Sequence, residues 1–241
     1  MLSLQHRQLQ PEWMDQPDLD ERLHCDALRG LARLNWISYS ARTLWQPIFE
    51  FAQQRRPSPS RPIRVLDIAC GGGDVTVALW HLAAAANLPL SIVACDISQT
   101  AIDHAQQLSS ERSADICFEK RDVLEDPPQN AFDIVASSLF LHHLTEVQAV
   151  ALLRSMANAT SHLLLINDLL RTRRGYAAAW FACRLLTRSP VVRVDGPRSV
   201  AGAYTIPEIN GLCGQVPLPN ARISRRWPER FLLEWKRENG L

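Results

Sequence analysis

The chain predicts an open, mostly parallel α/β sheet with helices on both faces and a helical arm ahead of it. Three observations carry the prediction. From residue 63 onward, short apolar runs alternate with helical segments, the pattern of successive βα units. The first run ends in three glycines, Gly71 to Gly73, placed where a buried strand turns into a helix. Pro57, Pro59 and Pro62 mark a linker, so that residues 1–60 form the arm and residues 61–241 the main domain.

In the arm, Leu23, Ala27, Leu31 and Leu34 recur at helical spacing, and Leu44, Ile48 and Phe51 repeat the pattern across Pro47, which is expected to kink that second helix. Packing alone accounts for such stripes; Trp13, Trp36, Tyr39 and Trp45 also suit a lid over a ligand pocket. Strands are expected at Ile63–Ile68, Leu90–Cys95, Ile116–Glu119, Phe132–Ser137 and His162–Asn167. Helices are expected at Asp74–Ala86, Thr100–Leu108 and Thr145–Asn158, the last opened by Thr145 and Gln148 at capping-box spacing. Beyond residue 170 come an amphipathic stretch, Tyr176–Leu186, and a second capping-box start at Thr205 and Glu208. Two short strands near Ala221–Arg226 and Arg230–Lys236 follow.

Composition narrows the class. The 241 residues, 46% hydrophobic and 21% charged, suffice for one α/β domain with an appendage. Lys and Arg number 26 against 25 Asp and Glu, so the net charge of +1 gives no global attraction for nucleic acid or an acidic membrane, and any basic site is local. Six cysteines, with no C-x-x-C pair and no zinc-spaced Cys/His cluster, read as reduced thiols; no metal is expected. The first twenty residues lack the apolar run of a signal peptide and no stretch is long enough to span a bilayer, so a cytoplasmic protein is expected.

The segment Val65 to Asp74, VLDIACGGGD, carries the most information. Glycines there let backbone N–H groups approach a ligand at the positive end of the next helix. Asp96, at the end of the second strand, is placed to accept hydrogen bonds from both ribose hydroxyls; Asp122, after the third, lies along the same sheet edge, where an adenine amino group is read. Together these describe an adenosine site. The third glycine of a dinucleotide fingerprint would fall at Thr76, and neither a P-loop nor a nucleophile elbow is present. Asp67, four positions before the first of the glycines, suits a ligand carrying an ammonium and a sulfonium, which points to S-adenosylmethionine.

Val65–Asp74 resembles motif I of class I S-adenosylmethionine-dependent methyltransferases, an acid followed by G-x-G-x-G, with Ala69 standing where the first glycine falls. The resemblance implies a Rossmann-like, mostly parallel seven-stranded sheet ending in an antiparallel hairpin. It implies that Asp67, Ala69, Cys70, Gly71, Gly73, Asp96, Ile97, Asp122, Val123 and Ser138 bind the cofactor, and that Phe132–Leu144 carries motif IV. Pro11–Asp15 and Ala27–Asn35 are similar to stand-alone methyltransferases of polyketide and quinone pathways.

Methyl transfer needs alignment and exclusion of water, with a base where the acceptor is a phenol of pKa about 10. His142 and His143, just past the fourth strand, are the candidates; the rival reading has one ring capping the following helix and the other solvated. Asn167 and Asp168 either orient an acceptor or satisfy loop backbone. Ser137-Ser138-Leu139-Phe140 replaces the (Asn/Asp)-Pro-Pro-aromatic turn of amino methylation, and Asp126-Pro127-Pro128 precedes the strand and reads as a turn. The expected partner is a small phenolic or lipid-like acceptor, methylated on oxygen. The arginine runs at 171–174 and 222–230 read as solvated rather than RNA-binding, while Tyr176–Leu186 suits a cap over the acceptor or a peripheral membrane contact. Methylation of RNA or protein, or a scaffold without turnover, are the alternatives.

Overall fold

The computed structural model describes residues 4–16, 18–129 and 132–237. Two helices come first, α1 (Glu21–Ile37) and α2 (Ser40–Arg55), parted by Tyr39, whose φ of 56° breaks the helical path. Asp20 caps α1 by accepting from the amides of Arg22 and Leu23, a contribution of about 1 kcal/mol. Helix α2 continues through Pro47, which is buried.

The sheet runs in the order β3-β2-β1-β4-β5-β7-β6, formed by β1 (Ile63–Ile68), β2 (Leu90–Asp96), β3 (Ile116–Lys120), β4 (Phe132–Ser138), β5 (Thr160–Leu169), β6 (Arg222–Arg226) and β7 (Arg230–Lys236). All neighbours from β3 to β5 are parallel, and β7 pairs antiparallel with both β5 and β6. Between them lie α3 (Asp74–Ala85), α4 (Gln99–Glu111), a short 3₁₀ turn (Leu141–His143), α5 (Glu146–Ala159), α6 (Arg173–Leu186), α7 (Pro190–Gly202) and α8 (Ile206–Cys213). Both expected capping boxes form, at Thr145 and at Thr205.

The central strands read as continuous apolar runs because both faces are covered. Leu66, Ile68, Val135, Leu164 and Ile166 pack with α5 and α8, while Val65, Ile134, Leu163 and Leu165 face α2 and α3. Alternation then places Asp67 on the α2 and α3 side, where Thr76 of α3 meets it. Helix α7 was not expected: Gly196 and Pro197 in its middle erase the local helical signal, and packing against α6 and α1 supplies what propensity lacks. All six cysteines are free thiols. Among the described residues no helix is long and apolar enough to cross a membrane.

Candidate active site

The strand order reverses between β1 and β4, which opens a crevice at the carboxyl edge of the sheet. The turn from β1 into α3 lies in that crevice. Its backbone enters the left-handed region at Ala69 (φ 55°), Gly71 (φ 54°) and Gly73 (φ 76°). A Cβ on Gly71 would project into open space, whereas one on Gly73 would strike Ala105 of α4 at 2.8 Å. Gly71 is therefore free for a ligand and Gly73 for helix packing. Ala69 carries a side chain in a conformation that costs roughly 1–2 kcal/mol, partly offset by the lower entropy of its unfolded chain. Ala69→Gly is expected to raise the unfolding free energy by up to about 1 kcal/mol, read as a higher denaturant midpoint; a lower midpoint would mean that the Ala69 methyl packs more tightly than its backbone is strained.

Asp96 ties this turn to β2. Its Oδ2 accepts from the Gly71 amide at 2.9 Å and its Oδ1 from the Ser98 amide at 2.9 Å. Each oxygen keeps a second lone pair, the acceptor pattern a vicinal diol requires. Burial pushes the Asp96 carboxyl up. Asp122 Oδ1 accepts from the Leu124 amide at 3.0 Å, while Val123 is buried and Ile97 is exposed beside Asp96. Ser138 Oγ accepts from Asn167 Nδ2 at 3.1 Å. Burial pushes the Cys70 thiol well up, so it is no nucleophile.

Among the described residues three buried side-chain oxygens have no hydrogen-bond partner: Asp67 Oδ1 and Asn167 Oδ1 on the strands of this crevice, and Ser155 Oγ on α5. Such an orphan is costly unless a ligand completes it. Asp67 Oδ2 accepts from Thr76 Oγ1 at 2.5 Å, and desolvation pushes this carboxyl up to about 7 against that bond. Asp67 Oδ1 is left to accept from a donor on a bound ligand. The unfilled side of Gly71, the two-oxygen acceptor of Asp96 and the orphan at Asp67 fit an aminoacyl nucleoside such as S-adenosylmethionine.

Every residue assigned to the cofactor except Gly73 lines one chamber of about 940 Å³, and His142 and His143 line it too. Its remaining walls are largely apolar, drawn from Leu28, Leu31 and Leu34 of α1 and Ala178, Ala179 and Ala182 of α6.

The histidines do not cap α5, whose N-terminus is satisfied by Thr145 and Gln148. His142 is buried, with Nδ1 2.7 Å from Asp168 Oδ1 and its own amide donating to Asp168 Oδ2 at 3.1 Å. His143 places Nδ1 2.9 Å from Asp15 Oδ2. The Nε2 atoms of the two rings face the buried Glu12 carboxylate at 3.8 and 4.0 Å. Burial opposes charge on His143, yet the bond to Asp15 and the nearby Glu12 prevail and hold it up at about 9. Burial likewise opposes charge on Asp168, and His142 overrides it, keeping the carboxylate below its ordinary range.

Glu12, Asp15 and Asp168 thus complete a cluster of which the sequence displayed only the two imidazoles. Glu12 and Asp15 lie some 130 positions from the histidines, and no local periodicity links them. Glu12, His142 and His143 offer one ligand atom each within 4.8 Å of one another. Their carboxylate-to-Nε2 separations of 3.8 and 4.0 Å exceed the roughly 3.4 Å edge set by zinc bonds of about 2.0–2.1 Å. Each ring's Nδ1 is held by a carboxylate, Asp168 or Asp15, and each Nε2 faces Glu12. A second buried network, missed for the same reason, joins Asp74 to Asn35 at 3.1 Å and Asn35 and Ser40 to Arg230, whose pKa burial lowers to about 10.

Residues 65–162 match the family described as methyltransferase domain. No curated protein sequence matches the chain. Among solved structures, magnesium protoporphyrin IX methyltransferase (ChlM) from Synechocystis PCC 6803 with bound S-adenosylmethionine aligns over 94% of this chain and 88% of its own, at 16% identity and a TM-score of 0.55. The plantazolicin methyltransferase BpumL, in complex with S-adenosylhomocysteine, aligns over 93% of this chain and 91% of its own, at 15% identity and a TM-score of 0.60. The DszA carbon methyltransferase aligns over 86% of this chain and 56% of its own, at 14% identity and a TM-score of 0.63. Residues 65–162 thus match a methyltransferase domain, and the whole chain shares the fold of solved methyltransferases, one bound to S-adenosylmethionine and one to S-adenosylhomocysteine.

Proposed function

We propose that the chain methylates a small, largely apolar acceptor on a phenol-type oxygen. The observation that carries this reading is the single chamber shared by the cofactor groups, the His142–His143 cluster and the apolar faces of α1 and α6. Relatives of the same fold are named for magnesium protoporphyrin IX, for plantazolicin and for carbon methylation, which supports a small acceptor and leaves the methylated atom to the local chemistry.

In this reading Asp96 holds the ribose, Asp122 and the Val123 backbone lie at the adenine, Gly71 and Cys70 pass along the ligand, and Asp67 faces its ammonium. The cofactor supplies a methyl group already activated by the sulfonium. His142, its Nδ1 held by Asp168, takes the acceptor proton at Nε2. His143, charged at neutral pH, stabilises the oxyanion that forms. Residues 1–60 act as a lid: α1 walls the chamber, and Glu12 and Asp15 close the histidine cluster. A base and an imidazolium together suit an acceptor that loses a proton to become an oxyanion, which an amine acceptor need not do.

Thermal unfolding with S-adenosylmethionine and with its demethylated product tests the cofactor site. At 100-fold over Kd the expected gain is about 2.7 kcal/mol, roughly 5–10 °C for a chain of this size. The gain is expected to grow with pH from about 5.5 to 7. The sign follows from Asp67: its folded carboxyl near 7 lies above the unfolded value of 3.8, so the free protein favours the neutral form, and the ligand's ammonium needs the ionised one. Free-protein stability from Asp67 falls over that range while binding strengthens, and Asp67→Asn flattens the dependence. No shift with either ligand moves the reading to a scaffold without turnover, whereas salt-sensitive RNA binding would favour a macromolecular acceptor.

A further inference from the structure

We propose that the outer face of α1 and α6 docks on an anionic lipid bilayer, directly over the acceptor chamber. The proposal rests on reading that chamber as the site of an apolar acceptor.

Charge is the first observation. From Leu170 to Val194 the chain carries six arginines and no acid, in a protein whose net charge is +1. Arg171 is buried against Glu208, but Arg173, Arg174, Arg184 and Arg188 are exposed. The second observation is that α6 bears large apolar side chains on its outer side as well as small ones on its inner side, its charges being the arginines Arg173, Arg174 and Arg184. Its inner side, Ala178, Ala179 and Ala182, lines the chamber. Its outer side presents Trp180, Phe181 and Leu185, exposed by 40%, 60% and 81%. The Arg184 guanidinium lies 3.9 Å from the centroid of the Trp180 ring, so cation and aromatic share that side.

Helix α1 extends the same face. A groove lined by Asp26, Arg29 and Arg33 of α1 and by Arg184, Leu185 and Arg188 sets the two outer stripes side by side. The acid in it, Asp26, is paired with Arg29 at 2.5 Å. Beyond it Trp36 is 79% exposed, and Tyr39 and Trp227 pack with ring centroids 5.9 Å apart. Exposed Trp and Tyr among arginines is the composition that settles at a bilayer interface, where the ring bodies enter the headgroup boundary and the cations meet anionic lipid. RNA would use the arginines and aromatics but has no use for Leu185 or the aliphatic inner wall. A bilayer uses both, and places a lipid-like acceptor one helix away from His142.

Cosedimentation with vesicles tests the surface. The full chain is expected to sediment with phosphatidylcholine vesicles containing phosphatidylglycerol, poorly with phosphatidylcholine alone, and less well as salt is raised. Phe181→Ser with Leu185→Ser is expected to weaken binding by more than about tenfold. Arg174→Gln with Arg188→Gln is expected to weaken it by about thirtyfold. Both pairs should keep the wild-type thermal shift with S-adenosylmethionine, which shows that they are folded. Wild-type chain left in the supernatant with the anionic vesicles, or variants that bind like wild type, would overturn the proposal. So would a polyuridine oligonucleotide bound more tightly than vesicles and indifferent to the apolar pair, which would make the face an RNA site. Vesicle binding without any cofactor shift would keep the docking surface and remove the methyl-transfer reading, so the two fail separately.

Discussion

Replacing Asp96 by alanine is expected to weaken S-adenosylmethionine binding by more than tenfold, measured by calorimetric titration, while the chain remains folded. The carboxylate already accepts from the amides of Gly71 and Ser98, each at 2.9 Å, and its burial pushes the carboxyl up, so it is partly desolvated before any ligand arrives. Hydrogen bonds from ribose hydroxyls to such a group contribute about 1.5–3 kcal/mol, a factor of roughly ten to one hundred and fifty in affinity. Alanine also leaves the Gly71 amide without its acceptor and loosens the turn that shapes the cofactor path. Asp96→Asn separates the two effects: it keeps an oxygen for one amide and loses the charge, so its affinity should fall between wild type and alanine. Unchanged affinity in the alanine variant would take the ribose away from Asp96.

That the residues proposed for the cofactor lie together was legible in the sequence because their placement is local. Asp67, Gly71, Asp96 and Asp122 each sit at or just after the end of an apolar run, and parallel strands must bring those ends to one edge. All seven strands and both capping boxes were legible for the same reason, since a strand or a cap is specified within a few residues. The strands ran longer than the apolar pattern: β5 reaches Leu169, because Asn167 and Asp168 are buried and pair with Leu232 and Phe231 of β7, polar residues held in a ladder that hydrophobicity does not mark. Helix α7 and the acids Glu12 and Asp15 were not legible. Gly196 and Pro197 hide the helix from any propensity argument. Glu12 meets His142 only because Ser199 of α7 donates to its Oε1 at 2.6 Å and Asp195 accepts from the amides of Trp13 and Met14, contacts across more than 180 residues. The part of the site that would choose the acceptor is thus the part built from long-range contacts, and the part that holds the common cofactor is the part a short motif can describe.

The largest effect is expected at His142. His142→Gln should lower kcat by about 10²–10⁴-fold with the KM for S-adenosylmethionine little changed, because a positioned base acts in the transition state and not on cofactor binding. A phenol near pKa 10 is mostly protonated at neutral pH, so alignment with the sulfonium leaves its proton still to be removed. In the proposed reading His142 removes it. Its Nδ1 is fixed on Asp168, a carboxylate that the ring itself keeps ionised, and its Nε2 looks toward Glu12 and the chamber. His143 is already charged near neutrality and cannot take a second proton, so His143→Gln should cost less, through the lost field at the oxyanion. Asp168→Asn should sit between the two, since asparagine preserves the size of the side chain but lets the imidazole lose its orientation, and kcat should fall with little change in KM. Raising the acceptor's acidity offers a further check: an acceptor whose hydroxyl ionises below neutrality should restore most of the rate to His142→Gln and almost none to Asp96→Ala. Full activity in His142→Gln with an ordinary phenol would instead mean that alignment and the sulfonium suffice, and the buried carboxylate–imidazole cluster would then hold the lid closed rather than move a proton.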